Sequence, residues 1–163
     1  MFKIAIGADG AGYDFKTILI EMLQANPKVS SVIDVGVNKS EDTFYPNIAF
    51  LASKKVMSGE VDRAILICGT GIGMHISANK VPGIRATVAH DSYSVERSVL
   101  SNDCQILTFG ARIIDIELAK KLTLEWLNYE FDKQSLSASK VQEITKYELS
   151  LIHISEPTRQ AEI

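Results

Sequence analysis

The sequence predicts an α/β fold, a doubly wound parallel sheet of five strands with helices on both faces. Three observations carry that reading. Five short apolar runs, each closed by turn formers, alternate with amphipathic stretches over short connections. Two of these runs, Phe2 to Ile6 and Ala64 to Ile67, open directly into glycine-rich loops at residues 7–12 and 69–73. Asp9, Cys68, His90 and Arg112 all fall just beyond the carboxyl end of a predicted strand, where such sheets bind ligands.

Taken in order, Phe2 to Ile6 is the first strand, ended by Gly7-Ala8-Asp9-Gly10-Ala11-Gly12. Phe15, Ile18, Leu19, Met22 and Leu23 then recur at helical spacing, and Pro27 stops the pattern. Ser31 to Val35 is the second strand, and residues 36–43 are polar and loop-like. Phe44-Tyr45-Pro46-Asn47 opens a helix carrying Ile48, Leu51, Ala52, Val56 and Met57, which Gly59 ends. The central strand is followed by a helix through Asn79-Lys80, the turn Val81-Pro82-Gly83 and a strand from Ile84 to Ala89. Asp91 or Ser92 is the expected N-cap of a helix to about Leu100. Gln105 to Phe109 is the fifth strand, and Ile116 to Phe131 a long amphipathic helix containing Leu118, Ala119, Leu122, Trp126 and Leu127. Ser135 to Tyr147 is polar; Val141 and Ile144 could anchor it as a terminal helix on a neighbouring subunit. From about Ser150 the run Leu151-Ile152-His153-Ile154-Ser155-Glu156-Pro157-Thr158-Arg159-Gln160 changes character. It resembles translated adapter sequence at the ends of some assembled genes, an ordinary disordered tail being the other reading. Residues 150–163 are expected to lie outside a domain of residues 1–149 and to carry no chemistry.

A chain of 163 residues is sized for one domain with a single core. Its net charge of −3, without a basic cluster, argues against a nucleic-acid binder. No apolar run is long enough to span a membrane, and Met1-Phe2-Lys3 leads straight into a strand pattern, which speaks against a signal peptide. Cys68 and Cys104 therefore read as free thiols in a cytoplasmic protein.

The chemistry concentrates in Ala64-Ile65-Leu66-Ile67-Cys68-Gly69-Thr70-Gly71-Ile72-Gly73-Met74. Alternate glycines at a strand-to-helix turn remove side chains, so a ligand can approach bare backbone N–H groups. Cys68 stands beside a helix N-terminus, whose positive end favours a thiolate. An anion cradle and an activatable nucleophile or base thus share one turn, unless Cys68 is simply a buried cysteine ending a strand. Among the described motifs none shows metal-ligand spacing, and no cofactor is implied.

Ile67 to Gly73, together with Ala78-Asn79-Lys80-Val81-Pro82-Gly83-Ile84-Arg85-Ala86, closely resembles the ribose-5-phosphate isomerase B and galactose-6-phosphate isomerase family. Gly7-Ala8-Asp9, Tyr45-Pro46, His90-Asp91-Ser92-Tyr93-Ser94, Ser101-Asn102-Asp103 and Gly110-Ala111-Arg112 match in the same order, over about residues 1–149. The resemblance implies a Rossmann-like sheet, a homodimer or homotetramer, and metal-free interconversion of small aldose and ketose phosphates. It implies that Cys68 is the base moving a proton between carbons 1 and 2. The backbone of Gly69, Gly71, Ile72 and Gly73 would hold the enediolate oxygens, at ~3 kcal/mol per well-placed donor. Thr70 would hydrogen-bond the thiolate or serve only the turn. Asp9, Tyr45 and Asn102 would contact the sugar. Arg112 would take phosphate or a terminal hydroxyl, a surface ion pair being its alternative role.

Three positions depart from the family pattern. Gly10 stands where histidine is common, Ser101 where a ring-opening histidine is common, and Leu136-Ser137-Ala138-Ser139-Lys140 where paired arginines clamp phosphate from the other subunit. Phosphate would then rely on Lys140, Ser137 or Ser139, Arg112 and backbone N–H groups. His90 could replace the missing acid or be a hydrogen-bonded structural residue. A four-carbon sugar phosphorylated on its terminal oxygen cannot close a furanose ring, so the pattern resembles the branch acting on erythrulose 4-phosphate, with ribulose 5-phosphate the other candidate. Thiol redox chemistry is disfavoured because no Cys-X-X-Cys pair is present. A non-catalytic phosphosugar sensor on the same fold is the remaining reading.

Overall fold

The computed structural model describes residues 1–39 and 43–152. Strands β1 (Phe2–Ala8), β2 (Val29–Asp34), β3 (Arg63–Cys68), β4 (Ala86–Val88) and β5 (Ile106–Gly110) alternate with helices α1 (Tyr13–Gln24), α2 (Tyr45–Met57), α3 (Ile72–Ala78), α4 (Ser92–Leu100) and α5 (Ile116–Trp126). A last helix, α6 (Ala138–Ile152), follows. The strands form one sheet in the order β2-β1-β3-β5-β4, every pair parallel. This is the Rossmann-like, doubly wound α/β architecture expected from the alternation.

Right-handed crossovers put helices on opposite faces whenever the chain reverses its direction across the sheet. α1 steps outward from β1 to β2, α2 and α3 step back the other way, and α4 reverses again. The packing follows. Leu19 and Leu23 of α1, Val95 and Val99 of α4, and Leu122 and Trp126 of α5 share one core. Ile48 and Ala52 of α2 and Met74 and Ala78 of α3 share the other. β3 lies between the two cores with all six residues buried, so its apolar run needs no alternation. Each fully buried Leu or Ile there contributes about 1.5–3 kcal/mol, and Leu66→Ala would leave a void in the core under α2 and α3. The first reversal falls between β1 and β3, which opens a crevice beyond their carboxyl ends.

Local chemistry sets the ends of the elements. The Asp9 carboxylate accepts from the N–H groups of Ala11 and Gly12 at 3.0 and 3.3 Å, capping a short 3-10 turn over Gly10–Gly12. Asp91, rather than Ser92, caps α4 by accepting from Ser94 N at 2.8 Å. Lys16, only 2% exposed, reaches the Asp34 carboxylate and Val37 O at 2.8 Å, tying α1 to the end of β2. Its burial is tolerable because the charge is paired and its donors are used.

Several boundaries differ from the sequence reading: β1 runs on through Ala8, β2 ends at Asp34 and β5 spans Ile106–Gly110. β2 begins at Val29. β4 starts only at Ala86, because Ile84 N–H is drawn back to Val81 O in the preceding turn, and it ends at Val88. α5 stops at Trp126, not Phe131, because the buried Arg63 guanidinium takes Trp126 O at 2.9 Å and Tyr129 O at 2.5 Å. α6 runs on to Ile152, past the expected boundary at 149. Residues 40–42 of the loop expected over 36–43, and the tail from His153 on, lie outside the described residues. Among the described residues no helix is long and apolar enough to cross a membrane.

Candidate active site

The strand-end turns converge on one cleft of about 430 Å³, lined by Asp9, Tyr45, Cys68, Gly69, Thr70, Ile72, Gly73, Ile76 and Arg112. Cys68 closes β3 at its floor, and its Sγ accepts from Gly71 N–H at 3.1 Å. That bond needs a left-handed turn. Gly71 has φ +78°, and a Cβ there would stand 2.9 Å from the Phe109 carbonyl carbon, so only glycine fits without strain. Buried Thr108 holds the same turn from β5, its hydroxyl donating to Gly71 O at 2.9 Å. Tyr45 lies across Gly73, where a Cβ would meet the ring at 2.6 Å. The first N–H groups of α3 have no intrahelical acceptor, and that of Ile72 goes to the Thr70 hydroxyl.

Arg112 reaches the cleft because its turn is bonded to the cysteine turn. Ala111 N–H donates to Cys68 O at 2.9 Å and Arg112 N–H to Gly69 O at 3.0 Å. The guanidinium passes over Gly69, with Nη1 3.3 Å from where a Cβ would be. It forms no ion pair among the described residues. The Thr70 hydroxyl accepts from Ile72 N–H at 3.3 Å, which is the turn role.

His90 borders a separate hollow of about 290 Å³ that shares Thr70 and Ile72 with the cleft. Its Nε2 accepts from Gly110 N–H at 2.9 Å, and its ring stacks on Phe109. Burial pushes its pKa below the ordinary value, against the pull of Asp91. Gly10 sits one residue beyond Asp9 without lining the cleft, and a Cβ there would meet nothing within 4 Å.

The other predicted contacts do not join this cleft within one chain. Asn102 follows α4, whose C-terminal end lies at the amino ends of the strands; its Nδ2 donates to Arg97 O. Ser137 and Lys140 sit at the start of α6, bonded to each other through Ser137 O and Lys140 N–H. Ser101 accepts there from Arg97 Nη1 at 3.3 Å. A larger hollow of about 620 Å³ lies at this far end, between Asn102, Arg85 and Glu148. The smaller cleft is the better candidate, because the thiol, the glycine turn and the Arg112 guanidinium meet in it. Cys104, at the far end, is buried, and burial pushes its thiol up to about 12, so it stays protonated and inert. Ile76 and Thr108 went unmarked in the sequence, yet each has a signal. Ile76 is four residues after Ile72 on the same helix face, and Thr108 is the lone hydroxyl in an apolar strand.

A profile described as ribose/galactose isomerase matches residues 4–144. The chain belongs to the ribose/galactose isomerase family. It is 56% identical over 147 residues to the D-erythrulose-4-phosphate isomerase 2 of Mycolicibacterium smegmatis, covering 90% of this chain and 97% of that protein. It is 42% identical over 132 residues to the ribose-5-phosphate isomerase B of Escherichia coli, covering 81% and 87%. In three dimensions it is similar to the Clostridium thermocellum ribose-5-phosphate isomerase B, with a TM-score of 0.86 at 40% identity over 91% of this chain and 99% of that one. The family therefore spans the whole sheet and both strand-end turns.

Proposed function

We propose that the protein is an aldose–ketose isomerase of a small phosphorylated sugar, with erythrulose 4-phosphate as its preferred ketose. The observation that carries the reaction class is Cys68 Sγ at the floor of a cleft built from glycine N–H groups and Arg112. In the ketose direction, Cys68 takes a proton from carbon 1 while the carbon-2 carbonyl oxygen gains charge. Backbone donors of the Gly69–Gly73 turn stabilise the resulting cis-enediolate. The proton then returns to carbon 2, the hydroxyl on carbon 1 loses its proton to the neighbouring oxygen, and an aldehyde remains. Asp9 orients hydroxyls, and Arg112 offers its planar fork to the phosphate or a terminal oxygen. No metal is needed for this chemistry, so prolonged chelation is expected to leave the rate unaltered.

The four-carbon preference is supported by the 56% identical relative and by Gly10 and Ser101, which cannot assist ring opening. Asn102, Ser137 and Lys140 lie far from Cys68 in one chain, which supports a homodimer or homotetramer whose sites draw these residues from a second copy. The free thiols and a phosphorylated substrate fit a cytoplasmic setting.

Three measurements test this reading. Cys68→Ala should lose solvent deuterium exchange into the substrate by ~100- to 10,000-fold while remaining folded; unchanged exchange removes the base. The wild-type kcat/KM for erythrulose 4-phosphate should exceed that for ribulose 5-phosphate by at least about tenfold, ~1.4 kcal/mol; a pentose preference overturns the substrate claim. Sedimentation should show a dimer or tetramer, and an active monomer rules out the shared site.

A further inference from the structure

β4 pairs with β5 only as far as Val88 and Thr108. Beyond that point no strand carbonyl stands beside the amide of Gly110, and Nε2 of His90 takes its N–H instead. The same short turn then donates Ala111 N–H to Cys68 O and Arg112 N–H to Gly69 O. It is packed so closely that a Cβ on Gly110 would stand 2.7 Å from Thr70 Cα. One turn is thus bonded to the imidazole on one side and to the Cys68–Gly69 backbone on the other, and it carries the Arg112 guanidinium.

We infer that His90 is a positioning residue: its neutral ring, protonated on Nδ1, stands in for the missing strand carbonyl and holds the Gly110–Arg112 turn against Cys68 and Gly69. An N–H donor opposite Nε2 fixes that nitrogen as an acceptor, which assigns the proton to Nδ1. Protonating the ring places two donors face to face, so the bond is lost and the turn is released. The surroundings offer the cation little. Phe109 stacks on the ring, and Thr70, Ile72, Val88 and Ile113 carry no charge. Asp91 is the charged neighbour, and its carboxylate is already engaged by the Ser94 N–H and hydroxyl. Burial accordingly holds the ring neutral to lower pH than an ordinary histidine.

The kinetic arm of the test rests on the isomerase reading; the spectroscopic arm does not. Imidazole 15N spectra of the full chain should show the His90 signal, identified by its absence from His90→Gln, as the Nδ1–H tautomer titrating below about 6.5. An Nε2–H tautomer overturns the inference. The glutamine Oε1 can accept from Gly110 without titrating. His90→Gln should therefore keep kcat/KM within about threefold at neutral pH and lose an acid-side fall present in the wild type, whereas His90→Leu should lose at least about tenfold. Equal losses in both variants would make the ring a direct proton donor to substrate and sink the positioning role. A leucine variant as active as wild type, or identical acid limbs in wild type and His90→Gln, would do the same. Should the wild type show no isomerase activity, the tautomer still decides this inference by itself.

Discussion

Around the cysteine, at the carboxyl ends of the strands, the polar contacts run mostly through backbone atoms, whereas at the amino ends long side chains reach across to bond backbone groups. Around Cys68 the bonds include Gly71 N–H to sulfur, Ala111 and Arg112 N–H to carbonyls, and the Thr108 hydroxyl to Gly71 O. At the other end Arg85 donates to Asn102 O, Asp103 O and the Asp103 carboxylate. Gln105 bridges Arg85 N and Gly83 O, and Asn79 bonds both backbone groups of Ala86. Arg63 is clasped between the Phe2 and Trp126 rings while it satisfies two carbonyls. One end spends its side chains on holding the sheet together. The other leaves a thiol, amides and a guanidinium for a ligand, and holds them with backbone geometry.

That contrast makes opposite demands on substitutions. The largest effect at the carboxyl end is expected from Gly71→Ala, which forces a left-handed φ on a Cβ at ~1–2 kcal/mol and moves the amide off the sulfur. Deuterium exchange should fall at least about 100-fold, and an alanine variant with normal exchange would break the comparison at once. Arg63→Met should do the reverse, costing ~2–4 kcal/mol in urea unfolding by orphaning two carbonyls, with kcat/KM unchanged at low temperature. Arg112→Met should lower kcat/KM about 10- to 30-fold yet leave stability within ~0.5 kcal/mol, since it forms no ion pair among the described residues. A clear drop in its melting temperature would mean that the site end also supports the fold. Gly10→His enters open space, so its urea midpoint should barely move while the tetrose-to-pentose ratio narrows. The smallest effect is on stability against pH. His90 titrates lower when folded than unfolded, so the unfolded chain binds the proton first. Stability contributed by the neutral ring is complete above about pH 6.5 and is lost as pH falls through its folded value. His90→Gln should flatten that slope in acid unfolding curves.

Much of the site was legible because it is local. Glycines alternating after a buried strand, and single polar residues just past strand ends, pointed to Asp9, Cys68, Thr70, Gly73 and Arg112, which line one cleft, but the same signal included His90, which borders the adjoining hollow. What was not legible depends on contacts distant in sequence. The stop of α5 at Trp126 comes from Arg63, more than sixty residues away. The Gly110 amide found His90 only because β4 stops pairing at Val88. Asn102 and Lys140 were grouped with Cys68 by motif alone. Helix parity already contained the warning: a residue that follows a crossover helix stands at the amino ends of a parallel sheet, never beside the thiol of its own chain.

The strand order has a consequence for how the chain is made. β4 pairs with β5 and with no other strand, and β5 slots between β3 and β4 although it is synthesised last. A nascent chain that has emerged only to Cys104 therefore exposes the bare edge of β3 and an unmated β4, both open to wrong partners. Closure waits for residues 106–110, which also bring Thr108 under the glycine turn and Arg112 over the cysteine. The last strand to leave the ribosome seals the sheet and arms the thiol's surroundings in the same step, so an incomplete chain has neither a closed sheet nor a working site.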